Sequence, residues 1–435
     1  MAKTPDSPLI DPCACDEFNR LSRREFLARS TAAAAVLTTP AWLPRVTYAQ
    51  SDSSRDTIVC VFLRGGMDGL SVVVPHGEAS YYTMRPSINV PRPDSASANR
   101  AIDLNGFFGF APGMGALLPA YQAGHLLVLH ATGSVDPTRS HFDAQHFMEI
   151  GAPGSTNLDT GWLGRHLASR PPAKLDATLR AVSMTFGMSE TLAGGPKTLP
   201  IPDSANFGLS GTSSTRTSRL NWLTAAYATE TDPLKSAAQS TQQTISTLSA
   251  LNINSYVAAG GAVYPNNSFA RAMRSAAALI RGDIGVEAIQ IDLSGWDTHS
   301  AQGPLTGGMN TTMRTLADAL AAFHKDIEAA GRLNRVTVVV MSEFGRKAAE
   351  NGSQGTDHGH GNCMFVLGGG VNGNQVMTAW PGMAAGQLYQ NQDLHVTMDH
   401  RDILAEIVAR RLGNTDLAYV FPNFTPTVRN AVRVG

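Results

Sequence analysis

The stretch Thr57-Ile58-Val59-Cys60-Val61-Phe62-Leu63-Arg64-Gly65-Gly66-Met67-Asp68-Gly69 decides the fold class. A continuous, short, β-branched apolar run cut off by an arginine and two glycines reads as a strand covered on both faces, as in a mostly parallel sheet. The pattern recurs downstream. Leu126 to His130 is a second such run, after a helix-like stretch around Gly115 to Gln122. Val286 to Leu293 is a third, ending in Ser294-Gly295-Trp296-Asp297-Thr298-His299. Arg335 to Met341 is a fourth and Met364 to Leu367 a fifth. A long amphipathic helix is expected from about Thr311 to Ala330, and another over 399–412. Strands alternating with helices predict an α/β protein, a doubly wound and mostly parallel sheet with helices on both faces. Two stretches read as helical or irregular insertions. Residues 84–110 are rich in Pro, Asn and Ser; residues 187–260 are rich in Ser, Thr and Ala, with helical patches near Leu220 to Thr229 and Pro233 to Leu251, and suit a cap over the sheet.

The first 49 residues read as an export signal rather than as fold. Ser22-Arg23-Arg24-Glu25-Phe26-Leu27 is a twin-arginine motif, Ala28 to Leu43 is apolar and alanine-rich, and Thr47-Tyr48-Ala49 offers small residues for cleavage. This is the basic, apolar, cleavage order of a bacterial signal read by the twin-arginine translocase, which carries folded proteins. A retained membrane anchor is the alternative, but Pro40 and Pro44 interrupt a stretch that is short for a bilayer. A single domain over residues 50–435, periplasmic or secreted and free of the membrane after cleavage, is the expectation.

Removing residues 1–49 leaves 28 basic against 30 acidic side chains. A near-neutral chain has no basic face for nucleic acid or anionic lipid. Cys13 and Cys15 leave with the signal; Cys60 and Cys363 sit in apolar runs, as buried free thiols or as one disulfide in an oxidising compartment.

In open α/β sheets, functional groups gather beyond the carboxyl ends of strands. Asp68 follows the first strand, Arg139-Ser140-His141-Phe142-Asp143 the second, Asp297 and His299 the third, and Glu343 the fourth, while Asp357-His358-Gly359-His360 lies in a glycine-rich loop before the fifth. Carboxylates and imidazoles converging from several strand ends suit one or two divalent ions: zinc, manganese, magnesium or calcium. Each group also has a structural reading. Asp68 suits a turn, Asp297 a helix cap, Ser140 the cap of the helix beginning at His141, and Glu343 an ion pair with Arg346. His125, His130, His166, His324 and His395 have no partner at ligand spacing and read as ordinary histidines. Gly65-Gly66-Met67-Asp68-Gly69 lacks the third glycine of a dinucleotide fingerprint.

The motifs Phe62 to Gly69, Arg139-Ser140-His141-Phe142-Asp143-Ala144-Gln145, Gly161-Trp162-Leu163-Gly164-Arg165, Gly295 to His299, Ser342-Glu343-Phe344-Gly345-Arg346 and Gly355-Thr356-Asp357-His358-Gly359 run in order along the chain. Together with Val420-Phe421-Pro422 they resemble the DUF1501 family, whose pattern is similar to the alkaline phosphatase and sulfatase superfamily. That resemblance implies an alkaline phosphatase-like sandwich and hydrolysis of a small anionic phosphate or sulfate ester. It implies metal ligands at Asp68, at Asp297 with His299, and at Asp357 with His358, with His360 and His400 competing for a last ligand position. It implies Ser140 as nucleophile with Thr138 as rival, Arg139 or Arg64 on the ester oxygens, and His141 as acid. The competing expectation is a catalytically inactive exported protein of the same fold that binds a metal or a partner.

Overall fold

The computed structural model describes residues 55–204, 207–208 and 212–435. The expected export signal, with Cys13 and Cys15, lies outside the described residues. The apolar run before Arg64 is strand β1 (Thr57–Leu63), and six of its seven residues are buried. Its alternation feeds two cores. Val59, Val61 and Leu63 join one apolar cluster, while Ile58, Cys60 and Phe62 join another on the opposite face.

The remaining sheet strands are β2 (Leu126–Gly133), β3 (Ala181–Ser183), β4 (Thr198–Pro200), β5 (Ala288–Leu293), β6 (Val336–Ser342), β7 (Asn362–Leu367), β8 (Gln375–Met377) and β9 (Met398–Asp399). Their spatial order is β8-β2-β7-β6-β1-β5-β3-β4, with β9 also paired to β2. β1 pairs in parallel with β5 and β6, whereas β7 runs antiparallel to both β2 and β6. The observed class is the expected α/β one: a mixed, mostly parallel sheet with helices around it. The fifth predicted strand exists, but it runs against the others. β4 pairs with β3 inside the main sheet, so the second insertion begins after Pro200 rather than at 187.

Helices cover both faces. Helix α1 (His141–Ile150), α2 (Trp162–Ser169) and, at the chain's end, α7 (His400–Arg410) pack on one side through Met148, Trp162, Leu163 and Ile403. The other side is covered by α5 (Ser268–Gly282) and α6 (Gly308–Ala329), the latter burying Met309, Met313, Leu316, Leu320, Phe323 and Ile327 along one stripe. The helical patches of the insertion are α3 (Ser213–Ala228) and α4 (Leu234–Leu251). α4 buries only Thr244, Ile245 and Leu248, and Leu248 joins the core cluster that holds α5. Cys60 and Cys363 are buried free thiols in the two opposite cores, which answers the disulfide alternative. Among the described residues no helix is long and apolar enough to cross a membrane.

Candidate metal centre

The carboxyl edge of the parallel strands collects the site. Helix α1 begins there after β2. Ser140 is its N-cap, with Oγ accepting the Asp143 N–H at 3.5 Å, and His141 is the first helical residue. Asp297 and His299 follow β5, and Glu343 follows β6. Because β7 is antiparallel, the loop before it lies at the same edge and brings in Asp357 and His358.

His141, Asp297 and His358 each offer one ligand atom, and these atoms lie within 4.8 Å of one another. Both imidazoles are held from behind. His141 Nδ1 donates to Glu343 Oε1 at 2.8 Å. His358 Nδ1 donates to the Arg139 carbonyl at 2.9 Å. A carbonyl only accepts, so that proton sits on Nδ1 and Nε2 turns its lone pair toward the cluster. His141 Nε2 is buried without a hydrogen-bond partner and sits 3.5 Å from Asp297 Oδ2. A buried ring nitrogen aimed at a carboxylate and a second imidazole is what a divalent cation requires, so these residues fit one. His299 adjoins them, with Nε2 2.9 Å from Asp297 Oδ1 and 3.0 Å from His358 Nε2. Its Nδ1 is 3.4 Å from Asp357 Oδ1, which places Asp357 behind His299.

The electrostatics are strongly coupled. Burial would raise the Asp297 pKa, but the His141, His299 and His358 imidazoles around it and the charge of Arg346 hold it far below the carboxylate range. Burial would lower that of His141, yet the Asp297 and Glu343 carboxylates outweigh it and lift it to about 9. Burial sets His358 below its ordinary value, with Arg346 and His141 adding to the effect against Asp297. Glu343 stays ionised despite complete burial, because His141 and Gln145 bond to it.

Glu343 is not the ion-pair partner of Arg346. Arg346 donates instead to Asp297 Oδ1 at 2.6 Å and to the carbonyls of Gly66, Thr356 and Trp296 at 2.5, 3.0 and 3.2 Å. It ties the turn after β1 to the loop after β5. That turn needs glycine: Gly65 has φ +115°, and a Cβ there would lie 2.7 Å from the Asp297 amide nitrogen.

Other sequence candidates stand elsewhere. Asp68 is fully buried in an ion pair with Arg85, at 2.5 and 2.9 Å, and also accepts from Ser71 and Gln302, both at 2.7 Å. Its oxygens are saturated by those donors, so it is not brought into the cluster. His360 stacks on Tyr389 with ring centres 4.7 Å apart. His400 Nδ1 donates to the Gly133 carbonyl at 3.1 Å. Arg139 pairs with buried Asp393, and Arg64 pairs with Glu149 at 2.8 Å and Asp292 at 2.9 Å. His141, expected as an acid, offers one of the three converging atoms.

Fold and site together define an α/β protein with a candidate cation centre at the carboxyl edge of its sheet. The family model described as "Protein of unknown function (DUF1501)" matches residues 55–416, and the chain belongs to that family. No curated protein matches it. Among solved structures it is similar to the PsFucS1 sulfatase from Pseudoalteromonas sp., at 13% identity and TM-score 0.40, covering 93% of this chain and 77% of that one. It is also similar to an alkaline phosphatase superfamily protein from Vibrio parahaemolyticus, at 10% identity and TM-score 0.33, covering 81% and 70%. A third is the C-terminal periplasmic domain of EcEptC from Escherichia coli in complex with Zn, at 12% identity and TM-score 0.34, covering 88% and 94%. At this level of likeness nothing about chemistry passes from them to this chain.

Proposed function

We propose that this protein is a metal-dependent hydrolase of small phosphate or sulfate esters, exported by the twin-arginine translocase and acting in the periplasm or outside the cell. The observation that carries the reading is the convergence of His141, Asp297 and His358 within 4.8 Å, with both histidines anchored through Nδ1. A bound divalent cation, of the zinc or manganese kind for this nitrogen and oxygen donor set, would stabilise charge on an ester oxygen during displacement. The chain's residues supply the rest. Glu343 and the Arg139 carbonyl fix the ring orientations. Arg346 fixes Asp297. Ser140 stands between Arg139 and His141 at the N-terminus of α1, where the helix dipole favours an anionic oxygen, and it is the proposed nucleophile.

One observation favours a second reading, a metal-holding exported protein without turnover. Arg64 and Arg139, the guanidiniums expected on the ester oxygens, are each paired with carboxylates.

Metal analysis of the purified mature chain and turnover on aryl phosphate and sulfate esters, with zinc or manganese added, separate the two. Hydrolysis predicts metal in the wild type, its loss with turnover in His141→Ala and His358→Ala, and retained metal with lost turnover in Ser140→Ala. Metal without turnover on any ester favours the second reading. Wild type without metal in every preparation removes both.

A further inference from the structure

Helix α6 runs from the carboxyl edge of β5 back to the amino edge of β6, so its last turns lie at the end of the sheet away from the centre described above. There His324 and Glu328 sit one turn apart on one face. His125, just before β2 begins, comes to meet them from 199 positions away in the chain. Its Nδ1 is 3.0 Å from His324 Nε2 and 3.5 Å from Glu328 Oε1. We propose that His125, His324 and Glu328 form a second divalent-cation site, independent of the first and placed at the amino edge of the sheet.

The three donor atoms lie within 4.8 Å of one another. His324 is 7% exposed and so is fixed by packing, while the Glu328 and His125 side chains are 49% and 25% exposed, which leaves a route for an ion from solvent. Two imidazole nitrogens facing each other at this distance can share only one proton, and a cation between them serves both lone pairs. His324 and Glu328 sit in the last two turns of a helix of 22 residues, whose C-terminal end presents negative potential and favours a cation. Two imidazoles and one carboxylate suit zinc, nickel, copper or cobalt rather than magnesium or calcium, and leave positions for water. The span between the sites is about 20 Å, from seven strand residues at ~3.3 Å each. The bound ion would clip the C-terminal end of α6 to the start of β2.

The test is zinc titration calorimetry, with cobalt absorption as a second probe, on the mature chain. Wild type should bind two ions. The His141→Ala/His358→Ala variant should keep one, and adding His125→Gln to it should weaken the remaining ion about a hundredfold or more. His125→Gln is preferred because that side chain is partly exposed; His324→Gln, at the buried ligand, must give the same loss if it folds. A double variant that binds no zinc at micromolar concentrations overturns the site, as does an ion that survives both substitutions. Loss of one ion in His125→Gln alone, with no ion lost in the His141→Ala/His358→Ala variant, supports this site and counts against the first.

Discussion

His358 Nδ1 donates to the backbone carbonyl of Arg139 across 2.9 Å, although the two residues are 219 positions apart. The bond joins the loop before an antiparallel strand to the approach of a helix that follows a parallel one. It sets the ring's orientation without using a side chain of Arg139, whose guanidinium is directed to Asp393. The candidate cation centre is therefore defined as much by strand direction as by the residues that converge on it.

Glu343 is the counterpart behind His141. Replacing it by Gln keeps an acceptor oxygen for His141, for the Gly65 N–H at 2.8 Å and for Gln145 at 3.0 Å, but removes the charge. Metal affinity at the first centre should fall about 10- to 100-fold while the fold is retained. Zinc titration with a thermal melt reads both quantities; unchanged affinity would mean that Glu343 does not tune His141.

Asp68 should behave as a structural anion. Asp68→Ala leaves the Arg85 guanidinium, itself fully buried, without its carboxylate. Breaking such a pair costs about 3–5 kcal/mol. Urea unfolding should register that loss, and the metal content of the folded fraction should equal that of wild type. The milder Asp68→Asn keeps partners for Ser71 and Gln302 and gives the comparison if the alanine variant does not fold. Loss of metal at undiminished stability would restore Asp68 as a ligand.

The reach of the sequence can be followed strand by strand. Val336–Ser342 and Thr57–Leu63 announce themselves because each is largely apolar and rich in β-branched residues, as a strand covered on two faces is. Ala181–Ser183 and Thr198–Pro200 are three residues each, too short for a periodicity to register. Periodicity also carries no direction, so the antiparallel course of β7 was not legible. Asp297, His299 and His358 were legible as candidates because they flank strand-like runs. The role of Asp68 was not: its partner Arg85 lies in a stretch read as irregular, and no local pattern pairs the two. The meeting of His125 with His324 was hidden for the same reason, since long-range contacts leave no mark in spacing.

Gly359 lies between His358 and His360 at a close approach of two backbones. A Cβ there would fall 2.3 Å from the Arg346 carbonyl carbon, so Gly359→Ala must displace its own loop or the segment after β6 that carries Arg346. Either shift moves a partner of Asp297. The variant should melt below wild type and bind zinc at the first centre more weakly, while the site at His125 and His324 keeps its affinity. Equal loss at both sites would indicate global unfolding rather than a local displacement.

Acid should destabilise the protein through histidines buried in the neutral form. His130 is completely buried, with Nε2 donating to the Val73 carbonyl at 3.0 Å and Nδ1 accepting the Ala131 N–H at 2.8 Å. Burial lowers its pKa from 6.5 to about 4. Burial, with Arg180, Arg55 and Arg170 adding to it, lowers that of His166 from 6.5 to about 3. Both folded values lie below the unfolded one, so the unfolded chain binds more protons as the pH drops below 6.5. The stability these groups confer is complete above that pH and is lost as the pH falls toward 4 and 3. Within the window each histidine contributes a slope of about 1.4 kcal/mol per pH unit. His141 acts in the opposite sense and in another range. Its value of about 9 in the metal-free state adds stability below 6.5 that disappears as the pH rises to 9. Urea unfolding of chelator-treated protein between pH 4.5 and 6.5 isolates the acid limb. His130→Gln should remove about one proton's worth of that slope, and a variant as steep as wild type would show that His130 is protonated in the folded chain.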